Sequence, residues 1–114
     1  MQANDDPHLF NARSSAWYWQ HYLADPAQAN EATASPLRAA SLAGLPPALV
    51  ITAGLDPLRD EGELYAARLA EAGVPVQTIR YDGMIHGIFA MTGILDVSHQ
   101  AHEQAAAHLA RALH

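Results

Sequence analysis

The sequence has no cysteine and no lysine among its 114 residues. Without cysteine there is neither a disulfide framework nor a thiolate nucleophile, and the redox compartment leaves no trace. All six basic residues are arginines, set against twelve Asp and Glu for a net charge of −6. They form no stripe of the kind that neutralising phosphates requires, which sets nucleic acid aside as a partner. Long apolar runs are missing too, and nothing approaches the roughly 20 residues of a membrane span. The opening Met1-Gln2-Ala3-Asn4-Asp5-Asp6-Pro7 has neither a positive n-region nor an apolar h-region. A soluble, cytoplasmic location is the default expectation, although the first residue carries no information about a signal on a longer parent.

What is present suits one folded domain. Half of the residues are hydrophobic and 16% are charged, too apolar a mixture for intrinsic disorder. Residues 1–12 are polar and read as a flexible lead-in. The spacing predicts an amphipathic helix over residues 13–24, with Ala16, Trp19 and Leu23 on one face, stopped by Asp25-Pro26. Residues 25–47, rich in Ala, Ser, Asn and Pro, read as a long surface loop.

Residues 48–113 read as a βαβα unit. Ala48-Leu49-Val50-Ile51-Thr52-Ala53 is continuously apolar and β-branched, as expected of a strand covered on both faces in a parallel sheet. Gly54-Leu55-Asp56-Pro57 breaks it. Pro57, Asp60 and Glu61 are early-helix signals, Leu58, Tyr65, Leu69 and Ala72 keep helical spacing, and Gly73 stands where a C′ residue is wanted. Residues 76–81 form the second strand, Asp82-Gly83 a turn, and residues 98–113 an alanine-rich final helix. A right-handed crossover between parallel neighbours puts the loops after both strands at one edge of the sheet.

That edge holds Asp56 after the first strand and His86 after the second. Adjacent strands lie about 4.8 Å apart, so the two side chains can meet across one strand spacing. A carboxylate there accepts a hydrogen bond from Nδ1–H of the imidazole, fixes its tautomer and leaves Nε2 free as a general base. The residues alone also allow a plainer reading. In it Asp56 only starts a helix, His86 is a solvated turn residue, and the chain is a non-catalytic βαβ interaction or oligomerisation module.

Several segments, in order, resemble one family. They are Ser35-Pro36-Leu37, the run from Gly44 through Ala53, Leu55-Asp56-Pro57-Leu58-Arg59-Asp60-Glu61-Gly62, and Tyr81-Asp82-Gly83-Met84-Ile85-His86-Gly87-Ile88-Phe89. Together they are similar to the hormone-sensitive-lipase-like esterases and lipases of the α/β-hydrolase fold, and Trp17-Tyr18-Trp19-Gln20-His21-Tyr22-Leu23 looks like the aromatic helix that precedes this region. The resemblance covers about Ala16 to Leu113. It implies the C-terminal part of an α/β-hydrolase fold, a parallel βαβ unit plus flanking helices, with Asp56 and His86 as the acid and base of a Ser-His-Asp triad. One departure, Ile88 where the family commonly has Phe, would alter pocket shape rather than chemistry.

The nucleophile is missing from the pattern. In this fold the serine sits upstream in a G-x-S-x-G elbow, with an oxyanion-hole loop earlier still, and neither motif occurs here. Ser14, Ser15, Ser35, Ser41 and Ser98 read as cap or loop hydroxyls. An isolated chain without that serine is expected to be inactive on esters, although its intact parent would hydrolyse small carboxylic esters through an acyl-enzyme. Leu58, Ile85, Ile88 and Phe89, with Met84, flank the pair and are candidates for an acyl-binding pocket.

No cofactor and no metal is expected. His99 and His102 lie at i, i+3 with Glu103 adjacent, but His108 falls on another face, and zinc needs three or four convergent ligands. Two strands with their helices are marginal alone. A homo-oligomer or a companion chain is therefore expected, pairing through the sheet edge at Val76 to Tyr81, which the resemblance places at a dimer contact.

Overall fold

Two parallel strands, β1 (Ala48–Ala53) and β2 (Val76–Tyr81), pair in register from Ala48 opposite Val76 to Ala53 opposite Tyr81. The computed structural model describes residues 9–113, and His8 and most of the lead-in lie outside them. Because both strands end at the same level, the loops that follow start side by side. The ladder continues into them: Gly54 donates its N–H to the Tyr81 carbonyl at 2.9 Å, and Leu55 donates to that of Met84 at 2.8 Å.

Helix α2 (Arg59–Glu71) makes the crossover between the strands. Asp60 and Glu61 lie in its first turn, where the helix dipole favours anions. Its end is a Schellman motif: Gly73 takes a left-handed φ of 81°, Gly73 N–H bonds the Ala70 carbonyl at 3.0 Å, and Val74 N–H bonds that of Leu69 at 3.0 Å. Leu69 and Val74 thereby meet Leu42 in the small core, with Ala39, Ala48, Tyr65 and Val76 packed around them. On the same face, Glu63 of α2 accepts hydrogen bonds from Thr52 of β1 at 3.1 Å and from the Arg80 guanidinium of β2. One carboxylate thus joins three elements.

The connection over residues 25–47 is more ordered than its composition suggests. It holds two 3-10 turns, Pro26–Asn30 and Pro36–Arg38. Asp25 accepts from Ala27 N–H at 2.9 Å, and the Gln28 side chain accepts from Asp25 N–H at 3.0 Å, a reciprocal cap written as D-x-x-Q in the sequence. Arg68 of α2 donates to the carbonyls of Leu37 and Ala39, which holds the second turn against α2 and brings Leu42 into the core.

Helix α1 (Ala12–Tyr22) starts at a capping box between Asn11 and Ser14 and stops with Leu23 extended, before Asp25-Pro26 is reached. It buries none of its residues: Trp17, Tyr18 and Tyr22 are all more than half exposed. Helix α3 (Asp96–Ala112) begins two residues earlier than its alanine-rich pattern suggests, with Asp96 in its first turn. It crosses the other face of the sheet, where Tyr81 donates its hydroxyl hydrogen to the Gln104 side chain at 2.6 Å. That cover is partial. Four of the six β1 residues are only half-buried, and Leu109 and Leu113 lie open on α3. β1 is therefore not enclosed on both faces as its apolar run predicts; among the described residues nothing pairs with its outer edge.

Candidate active site

Asp56 and His86 stand on the two laced loops. Asp56 Oδ2 lies 2.8 Å from His86 Nδ1, while Asp56 Oδ1 accepts from Leu58 N–H at 2.7 Å. The two readings that the residues left open describe two oxygens of one carboxylate: one begins the turn into α2 and the other holds the imidazole. A carboxylate only accepts, so the proton on Nδ1 belongs to the ring, and in a neutral imidazole Nε2 then keeps its lone pair. The Asp56 side chain is 16% exposed and that of His86 39%. The carboxylate is sheltered and the imidazole is within reach of solvent.

Three features missed at the level of sequence hold this arrangement. Gly54 is the first. A Cβ built there would lie 2.1 Å from the Asp82 carbonyl oxygen, so only glycine lets the loops approach closely enough for their side chains to meet. Arg59 is the second, donating through Nη1 to the Gly54 carbonyl at 2.8 Å. The third is Ser98, fully buried in α3, whose hydroxyl bonds the Ile88 carbonyl and lies 3.3 Å from that of Phe89. Its strand-loop setting could have flagged Gly54; no pattern in the sequence points to Ser98. Gly87, directly after His86, has φ 84° and so begins the 3-10 turn Ile88–Ala90 in a conformation that costs other residues about 1–2 kcal/mol.

Two clefts meet at His86. The first, about 490 Å³, lies between β1, α3 and the segment after His86, and Leu49, Ile51, Ile88, Phe89 and Leu109 line it. The second, about 540 Å³, lies beneath α1 and is lined by Phe10, Tyr18, Trp19, Leu58 and Glu61. Of the predicted pocket residues, Ile88 and Phe89 therefore face one cleft and Leu58 the other. Ile85 lines neither, although it directly precedes His86: nearness in the chain did not give it a place on a cleft wall. Ile88 is 4% exposed and belongs as much to the core as to the cleft.

Two other histidines, His21 and His102, are engaged locally. His102 lies 2.8 Å from the Ser98 carbonyl through Nδ1 and stacks on Phe89 with ring centroids 3.8 Å apart, while His21 stacks on Trp17 at 4.0 Å. Among the described residues no group of three or more His, Cys, Asp or Glu converges as a metal site would require. No helix among them is long and apolar enough to cross a membrane.

A family model for the alpha/beta hydrolase fold matches residues 1–90. The chain belongs to the hormone-sensitive-lipase-like α/β-hydrolase family. It is similar to the esterase LipI of Mycobacterium tuberculosis, 34% identical over 102 residues that make up 89% of this chain and 32% of LipI. It is similar also to the ethyl acetate hydrolase of Pseudomonas putida, 35% identical over 84% of this chain and 30% of that protein. Among solved structures, the esterase rPPE matches with a TM-score of 0.92 and 41% identity, over 99% of this chain and 37% of rPPE. The fold of this α/β-hydrolase chain is thus the one its relatives carry. It spans only between about 21% and 32% of the length of the curated relatives.

Proposed function

We propose that Asp56 and His86 are the acid and general base of a Ser-His-Asp triad that hydrolyses carboxylic esters, and that this chain is the C-terminal portion of such an esterase. The 2.8 Å contact between Asp56 Oδ2 and His86 Nδ1 carries the reading. Serine would come from outside the 114 residues, positioned by a strand beside the bare edge of β1. His86 Nε2 would take the serine proton as the hydroxyl attacks the ester carbonyl, then give it to the departing alcohol. In the second half it would take a proton from water and return one to the serine as the acid leaves. Asp56 holds the tautomer and balances the positive imidazolium in both halves. Leu58, Ile88 and Phe89 are positioned along the two clefts to meet the acyl or alcohol part of a small ester.

The chain by itself has the base without a nucleophile or an oxyanion hole. General-base help to water is worth about 10²–10⁴-fold, far short of full enzymatic acceleration. The isolated chain is therefore inactive on esters. It would assemble through the outer edge of β2, Val76–Tyr81, with a second copy, and through β1 with the portion that brings the serine. A short-chain aryl ester and a fluorophosphonate serine probe test this on the pure chain. Neither turnover nor labelling is expected; robust turnover lost in His86→Ala, or a stoichiometrically labelled serine, would overturn it.

A further inference from the structure

A group other than Asp56 packs against the His86 ring. The bond to Asp56 holds the Nδ1 edge of the ring at 2.8 Å, and the rest of the imidazole is steered by rotation about the Cα–Cβ and Cβ–Cγ bonds of His86. Nε2 must nevertheless aim along one direction to receive a proton. A group packed against the face of the ring restricts those rotations. Phe10 lies against that face, with ring centroids 4.3 Å apart and the planes inclined by 20°. Tyr18 backs Phe10 at 6.3 Å and 27°.

The position of Phe10 follows from the start of α1. Asn11 is the N-cap, its Oδ1 accepts from Ser14 N–H at 2.9 Å, and Ser14 Oγ accepts from Asn11 N–H at 2.9 Å. This reciprocal cap fixes the direction of the chain immediately before the helix, where Phe10 stands. The phenyl ring also shields one face of the imidazole from water and offers its electron-rich face to the ring that becomes positive during proton transfer.

We infer that Phe10 is a positioning residue for His86, holding the imidazole plane by stacking so that Nε2 keeps one orientation. The inference rests on the triad reading above and adds a residue from a different element to it. It identifies the aromatic lead-in to α1, not the strand ends alone, as part of the machinery of the base.

Imidazole NMR on the 114-residue chain tests it, with Phe10→Leu, Phe10→Tyr and Asp56→Asn as variants. In the parent chain the His86 carbon-bound ring protons should lie upfield through the Phe10 ring current, and a far-downfield Nδ1–H signal should vanish in Asp56→Asn. Phe10→Leu should remove the upfield displacement and speed solvent exchange of Nδ1–H roughly two- to tenfold, the population equivalent of one aromatic pair. Phe10→Tyr, which keeps the ring, should restore both. If the Asp56-dependent signal is present but Phe10→Leu changes neither observable, or Phe10→Tyr fails to restore them, the role of Phe10 is wrong and the triad reading stands. If the parent chain shows no Asp56-dependent signal, both are wrong.

Discussion

Asp56 and His86, thirty residues apart in sequence, meet at 2.8 Å because two parallel strands end at the same level and their loops are laced together. The two oxygens of Asp56 separate its roles. Asp56→Asn keeps an oxygen for Leu58 N–H, so stability should change little while the His86 Nδ1–H signal is lost. Asp56→Ala removes both bonds and should lower stability by about 1 kcal/mol or somewhat more, the usual worth of one such hydrogen bond. Urea melts of the two variants beside the parent chain measure the difference.

Gly54 is where the lacing is most exposed to change. Gly54→Ala puts a Cβ 2.1 Å from the Asp82 carbonyl oxygen, and because that atom is backbone the loops must part. Destabilisation of about 2 kcal/mol or more is expected, within the range for overpacking a tight site. The His86 Nδ1–H signal should weaken with it. Equal stability of Gly54→Ala and the parent chain would mean that the loops are not held this closely.

Acid should loosen the sheet through Glu63. Its hydrogen bonds with Arg80, and secondarily with Thr52, hold the carboxyl below its ordinary value of 4.5, against the opposing effect of burial. A depressed value in the folded chain means that this contribution is full above the ordinary carboxylate range. It is lost as pH falls through the folded value. The pair is solvated, so the effect is small. Glu63→Gln should lower stability slightly near neutral pH and flatten the decline between about pH 6 and pH 3. An unchanged acid limb in the variant would assign that decline to other carboxylates.

Self-association should follow from the uncovered surfaces. The outer edges of both strands are unpaired among the described residues, and Trp17, Tyr18, Tyr22, Leu109 and Leu113 lie exposed. Light scattering at micromolar concentration should give a mass above that of one chain, and a charge placed on the outer edge of β2, such as Thr78→Lys, should lower it. A monomeric mass with a cooperative melt contradicts this.

Much of the site was legible because it depends on local chemistry written in consecutive residues. The run from Ala48 to Ala53, the break at Gly54-Leu55-Asp56-Pro57 and Gly73 as a helix stop each reflect short-range rules, and their order places Asp56 beside His86. What was not legible depends on contacts between distant segments. Arg68 reaching the carbonyls of Leu37 and Ala39, Ser98 bonding the turn after His86, and Phe10 stacking on His86 leave no periodic trace. Composition likewise concealed the turns within residues 25–47, since Ala, Ser and Pro mark irregular backbone whether or not a distant arginine organises it. The half-buried state of β1 has the same origin: its apolar run describes a strand enclosed by neighbours, and among the described residues it has β2 on one edge only.

Grafting gives the decisive measurement. The matching 30% of the Pseudomonas putida ethyl acetate hydrolase would be replaced by this chain, and ester turnover followed in the folded chimera and in its His86→Ala and Asp56→Asn variants. If Asp56 and His86 are the acid and base of the triad, the chimera hydrolyses esters, and His86→Ala lowers kcat at least about 10³-fold, as removal of a triad base does. A folded chimera whose turnover is the same with and without the His86 imidazole would contradict that assignment.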